Sequence, residues 1–178
     1  MSTTSQTLTF DPKSFPAWLK KLDKSNKPIP HTLIALDPGE TTGFAVFRDG
    51  QLSEQEQLPT HTIYSGIDCL QKEFEAIRPD MVVYEDFRIY DWKAASLSWN
   101  TLHTPRLIGA IQTLCYVNNI PVFTQMAQQP KMFCTDQKLE QWGYYKKGQR
   151  HARDAVRHGT YYLLFNNGKV HDKDNLNL

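Results

Sequence analysis

Three acidic side chains stand where a chain rarely places acids for structural reasons. Asp37 closes the apolar run TLIALD, Glu85 closes MVVYE, and Asp154 lies inside RHARDAV. The two runs read as strands buried on both faces, and the third segment reads as a helix. Burying a carboxylate without a partner is strongly unfavourable. Three acids that converge on a shared cation escape that cost, so a divalent metal site with Asp37, Glu85 and Asp154 as ligands is the leading expectation. The chemistry such a set supports is metal-assisted hydrolysis of a phosphodiester.

His151 lies one turn before Asp154, so the two are expected on one helix face. It is a candidate to bind metal, or to orient or deprotonate the attacking water. Without those acids, a histidine near a helix start would be read as a surface or capping residue. His158, one turn beyond Asp154, is a candidate for a phosphate contact. Asp86 should point to the side of its strand opposite Glu85 and serve a structural hydrogen bond, while Asp91 and Asp136 have no positional support as ligands. Gly39 and Gly43 are expected to serve the turn after Asp37, through unusual backbone angles or close approach of a strand.

Charge is unevenly distributed. Residues 1–30 hold five lysines against two acids, residues 31–130 six basic residues against twelve acids, and residues 131–157 seven against three. An acidic body flanked by basic ends suits a cation site beside a phosphate-binding surface. Lys146, Lys147, Arg150, Arg153 and Arg157 cluster around the start of the last helix, where phosphate neutralisation would supply non-specific, salt-dependent affinity for DNA. A solvated helix face is the alternative for any one of them. Tyr90, Trp92 and Trp99 fall in an aromatic, serine-rich stretch without a period. They are candidates for stacking on opened bases, against the commoner role of core packing.

The elements that must position these residues follow from periodicity. PGETTG supplies turn chemistry after the first strand, and FAVFRDGQLSEQEQL reads as a hairpin turning at Asp49-Gly50. Ile63, Ile67, Leu70, Phe74 and Ile77 recur at helical spacing, Arg78-Pro79-Asp80 ends that helix, and MVVYE follows as a strand. A second helix begins near Pro105, with Leu107, Ile108, Ile111, Leu114 and Val117 on one face, and ends at Asn118-Asn119. IPVFTQ is a third buried strand, residues 130–150 mix helix and loop, and 151–165 form the last helix. A hairpin followed by strand-helix alternation predicts an α/β fold with a mixed central sheet and helices on both faces. Residues 1–30 read as an N-terminal extension with one amphipathic segment, FPAWLKKL, residues 31–166 as the domain, and 167–178 as a polar tail.

Composition narrows the class. A chain of 178 residues, 40% hydrophobic and 22% charged, is that of one globular domain. Three cysteines without a CxxC spacing argue against a disulfide framework or a zinc knuckle. No apolar run approaches a membrane span, and the polar N-terminus lacks a signal-peptide core. A cytoplasmic protein with no membrane partner is expected.

The order of these motifs resembles the RuvC-type Holliday-junction resolvases of the RNase H-like superfamily. LDPGETTGFAVF is similar to that family's first strand, PDMVVYEDF to its second acidic strand with Glu85 in the catalytic position, and RLIGAIQTLCYVNNIPVF to the helix and strand that follow. HARDA resembles the closing motif, in which Asp or His stands three residues before the last Asp. Together these cover roughly residues 32–165. The resemblance implies an RNase H-like fold and a metal-dependent endonuclease acting on branched DNA, a four-way junction first, with Asp37, Glu85, His151 and Asp154 as the catalytic set. It further implies two Mg²⁺ ions, for which Mn²⁺ can substitute, products with a 5′-phosphate and a 3′-hydroxyl, and a homodimer matching the two symmetric cleavage points of the junction. A compact member of this kind would suit a bacteriophage, acting in the host cytoplasm.

Residues 130–150 depart from the family pattern, which leaves the DNA structure preferred open. Related nucleases that cut flaps, forks or RNA-DNA hybrids share the same trio, and a binding module without chemistry is a third reading. The Asp-Pro-Gly to Thr-Gly turn also opens the actin, Hsp70 and sugar-kinase ATPases, but those need two such domains, and 178 residues are too few.

Overall fold

The computed structural model of the chain describes residues 14–87 and 102–170; Tyr90, Trp92 and Trp99, the candidates for base stacking, and Asp91 lie outside the described residues. One mixed sheet holds β1 (Thr32–Asp37), β2 (Thr41–Arg48), β3 (Gln51–Pro59), β4 (Met81–Glu85) and β5 (Val122–Gln125) in the order β3-β2-β1-β4-β5. β1, β2 and β3 are antiparallel, whereas β4 runs parallel to β1 and β5 parallel to β4. The β2–β3 hairpin turns at Asp49 and Gly50, both at positive φ (48° and 76°), the backbone form whose twist matches that of paired strands.

Six helices surround the sheet among the described residues: α1 (Phe15–Leu22), α2 (Ile63–Ile77), α3 (His103–Val117), α4 (Gln128–Phe133), α5 (Asp136–Gln141) and α6 (Arg150–Tyr161), the last continuing into a π-helical turn at Tyr162–Asn166. The periodic run that predicts α2 is bounded by a capping box of Thr62 and Ser65 and by Arg78 in the left-handed conformation.

Both faces of the sheet are covered, because the side chains of β1 divide by parity. Leu33 and Ala35 join Ala45, Phe47, Met81 and Val83 in a core closed by residues of α1, α5 and α6. Ile34 and Leu36 join Phe44, Val46, Val82 and Tyr84 in a second core closed by α2 and α3. The α/β architecture with a hairpin, parallel strands and helices on both faces is the one expected.

Helix α1, within the first 30 residues, is part of the first core. Phe15 is fully buried and meets the rings of Trp142 and Tyr144 at 5.4 and 5.5 Å; burial of such a ring contributes about 1.5–3 kcal/mol. At the other end, Asn167 is buried and donates from Nδ2 to the carbonyl of Lys27 at 3.0 Å. Cys115 and Cys134 are free, buried thiols pushed by desolvation up to about 12, which makes them inert. Among the described residues no helix is long and apolar enough to cross a membrane.

Candidate active site

The parity that sorts the core also aims the acids. Side chains two apart along a strand share a face, so Asp37 follows Leu33 and Ala35, Glu85 follows Met81 and Val83, and Gln125 follows Phe123, all toward α6. β1 and β4 are parallel with Leu36 opposite Tyr84, so Asp37 and Glu85 are neighbours at the carboxyl ends of the central strands. Asp154, 4% exposed, descends onto them from α6.

Each of the three carboxylates has one oxygen held by a donor from the same helix. His151 Nδ1 lies 2.8 Å from Asp37 Oδ2, His158 Nε2 lies 3.0 Å from Glu85 Oε2, and Arg157 pairs with Asp154 Oδ1. His151, Asp154 and His158 fall at i, i+3 and i+7, one face of α6. The start of that helix is itself anchored on the sheet, where the His151 backbone N–H donates to Gln57 Oε1 of β3 at 3.1 Å. Gly43 lets it come so close: a Cβ there would stand 1.9 Å from the His151 carbonyl oxygen. The turn after Asp37 is fixed by Thr60, whose hydroxyl donates to the Gly39 carbonyl at 2.6 Å and meets the Thr42 hydroxyl at 2.7 Å.

A cation already stands among the acids. Lys131, from α4, places Nζ 3.2 Å from Glu85 Oε2 and 3.4 Å from Asp154 Oδ2. The electrostatics follow from this crowding. Burial pushes the Asp37 carboxyl above its usual range, and the charges of Glu85 and Asp154 push it further, against the His151 hydrogen bond. Burial acts the same way on Glu85, but His158 and Lys131 outweigh it and hold that carboxyl below the usual range. Desolvation would lower Lys131, yet Glu85, Asp154 and Asp37 together raise it.

The arrangement therefore brings Asp37, Glu85, His151 and Asp154 together. It also engages two of the acids with protein cations, which compete directly with metal ligation. Among the described residues no three His, Cys, Asp or Glu side chains form a ready coordination cage. The donor set still fits a magnesium-type ion, which takes few carboxylates and completes its shell with water and phosphate oxygens. Asp37 Oδ1 and Glu85 Oε1 are the oxygens not held by α6, and Asp154 Oδ2 faces the Lys131 ammonium, which a cation entering there would have to displace.

Lys131→Ala should thus uncover mutual repulsion of the acids. We expect a loss of about 1–2 kcal/mol in EDTA, between the values for exposed and buried pairs, read as a lower melting temperature. An unchanged melting temperature would mean that the three carboxylates do not strain one another.

Some expectations need correction. Arg157 does not present a solvated guanidinium to phosphate; it pairs with Asp154 and Asp136 and donates to the Cys134 carbonyl at 2.9 Å. Arg153 lies 4.8 Å over the Tyr145 ring and donates to the Lys146 carbonyl at 2.9 Å. Lys146, Lys147 and Arg150 remain exposed beside the site. His158 is fully buried and holds Glu85, so it makes no phosphate contact. Gly39 lies outside the left-handed region, while Gly43 serves close approach. Asp136, without positional support as a ligand, is a partner of Arg157. Lys131 escaped sequence reasoning, because the short segment QQPKMF carries no period that would aim it.

No protein-family model matches the chain, and no curated protein matches it. Solved structures do. Thermus thermophilus RuvC in complex with a Holliday junction substrate is 15% identical over 78% of this chain and 97% of that one, with a TM-score of 0.62. The same organism's RuvC in a separate structure is 16% identical over 79% and 99%, with a TM-score of 0.60. The yeast mitochondrial Holliday junction resolvase Ydc2 is 11% identical over 83% of each chain, with a TM-score of 0.51. The chain shares the RNase H-like fold of these proteins.

Proposed function

We propose that the protein is a metal-dependent endonuclease that resolves four-way DNA junctions as a homodimer. The observation that carries this reading is the gathering of Asp37, Glu85 and Asp154 at the carboxyl end of a RuvC-like sheet, each tied by one oxygen to α6. The Thermus RuvC relative is captured with a Holliday junction substrate, which supports branched DNA as the partner.

Asp37, Glu85 and Asp154 would hold the metal, and His151 keeps Asp37 oriented. When bound, a pair of Mg²⁺ ions, or Mn²⁺ in their place, supplies charge stabilisation for the attacking water and the leaving oxygen. The His151 side chain is 41% exposed, so with Nδ1 on Asp37 it presents Nε2 to take the proton of the water. Cleavage is expected to leave a 5′-phosphate and a 3′-hydroxyl. Asp37 and Asp154 are buried beneath α6 and Glu85 is half-buried, and this partial exclusion of bulk water strengthens the charge interactions within the site.

The deciding assay compares a labelled four-way junction, fork, duplex and RNA-DNA hybrid in Mg²⁺, Mn²⁺ or EDTA. Paired symmetric nicks confined to the junction are expected. Equal cutting of all substrates would make this a general nuclease, and binding without cutting a DNA-binding module. Sedimentation of the free protein should give a dimer.

The exposed cations carry a separate expectation. Combined replacement of Lys146, Lys147 and Arg150 by alanine should weaken binding to all DNA structures alike. It should flatten the plot of log affinity against log salt by about 0.9 for each phosphate no longer neutralised. A slope equal to that of the native protein would place the DNA on another surface.

A further inference from the structure

His158 is an unusual group to find where it is. Its side chain is completely buried, and both ring nitrogens face oxygens: Nε2 faces Glu85 Oε2 and Nδ1 faces Gln125 Oε1, each at 3.0 Å. Gln125 is buried as well, 6% exposed, and its Nε2 finds no hydrogen-bond partner among the described residues. Burying an imidazole and an amide costs several kcal/mol unless both are satisfied. A helix-to-strand contact between α6 and β5 would be made more cheaply by two apolar side chains. The pair is therefore better explained by what it touches than by packing.

We propose that His158 is a positioning residue that fixes Glu85 for metal binding, with Gln125 fixing His158 in turn. This rests on the nuclease reading given above. Turning the Gln125 amide so that its partnerless Nε2 donates to His158 Nδ1 would leave the ring proton on Nε2, donated to Glu85 Oε2. Lys131 reaches that same oxygen at 3.2 Å. With Oε2 committed to protein donors, Glu85 would have its other oxygen, Oε1, left to offer a cation. The relation is that of an outer hydrogen-bond partner that orients a ligand, whose loss typically costs 10–100-fold in metal affinity. His158 also has the right reach because α6 already delivers Asp154 one turn earlier, so one rigid element sets the spacing of both ligands.

The test measures Mn²⁺ binding by paramagnetic resonance without DNA, cleavage of a four-way junction against Mg²⁺ concentration, and melting in EDTA. The proteins compared are native, His158→Leu and His158→Gln. His158→Leu is expected to weaken Mn²⁺ binding about 10–100-fold and to raise the half-saturating Mg²⁺ concentration by a similar factor. His158→Gln, which keeps an amide donor, should recover part of the loss. A lower melting temperature with native Mn²⁺ affinity would make His158 a packing residue and overturn the proposal. If His158→Leu does not fold, His158→Gln and Gln125→Leu decide, and native Mn²⁺ affinity in both overturns it. A native protein that neither binds Mn²⁺ nor cuts the junction sinks the nuclease reading itself. One that does both, with variants indistinguishable from it, sinks only this inference.

Discussion

Asp37→Asn is expected to abolish junction cleavage, by at least about 10²–10³-fold, to leave junction binding nearly intact, and to raise the melting temperature in EDTA. The first effect follows from the loss of one of the three carboxylates proposed to hold the metal. The second follows because affinity for DNA comes chiefly from phosphate contacts, here proposed for Lys146, Lys147 and Arg150. The third is the more diagnostic. Asp37 is 8% exposed and its carboxyl is raised by burial and by Glu85 and Asp154, so the folded state binds its proton more tightly than the unfolded chain does.

Stability must then fall as pH rises from the ordinary carboxylate range through the raised value of Asp37, and the cost is fully present above that value. Glu85 has the opposite sign. Its lowered value adds stability that is complete above its unfolded pKa and disappears as pH falls through the folded one. Asparagine removes the first contribution while its carbonyl can still meet His151. A gain of about 1 kcal/mol, about 2–4 °C for a chain of this size, is the expected scale. Melting curves of both proteins in EDTA between acid and neutral pH should diverge upward through the carboxylate range. Parallel curves would mean that Asp37 is not held against its neighbours, and a variant cutting at the native rate would remove it from the site.

The acids were legible in the sequence because strand parity is a local property. TLIALD and MVVYE are continuous apolar runs of β-branched and aliphatic residues, and a terminal acid on each has only one direction to point once the core face is known. The Asp49-Gly50 turn, the α2 period and the spacing from His151 to Asp154 are equally local. What could not be read depends on which elements meet. Lys131 reaches Glu85 and Asp154 only because α4 follows β5 directly and lies against α6. Arg157 reads locally as a solvated cation on a charged helix, but Asp136 arrives from α5 to hold it. The spacing of His158 from Asp154 is visible, whereas its partner Gln125 sits on a strand 33 residues earlier. The amphipathic run FPAWLKKL announces a helix, but nothing local says that Phe15 packs against the rings of Trp142 and Tyr144.

Gly43→Ala is the second change with a large expected effect, and it separates the placement of α6 from the chemistry of the acids. Gly43 pairs with Asp37 across the β1–β2 ladder, on the face that α6 covers. An alanine Cβ would meet the His151 carbonyl oxygen at 1.9 Å and the carbonyl carbon at 2.3 Å, both backbone atoms that no rotamer change can move. The first turn of α6 must therefore lift from the sheet. That stretches the His151–Asp37 bond and the contact of the His151 N–H with Gln57, the two links that seat the helix start. Overpacking of this kind costs about 1–3 kcal/mol, and a displacement near 1 Å at a catalytic group can cost about 10²-fold in rate. Cleavage should thus fall by about that factor although every acid is retained. Gly109→Ala provides the contrast. Nothing lies within 4 Å of a Cβ on that residue of α3, so alanine should stabilise the helix by about 0.5–1 kcal/mol and leave the proposed cleavage unchanged. If Gly43→Ala cuts and melts like the native protein, α6 does not rest on β2, and its three donors are not what sets the carboxylates.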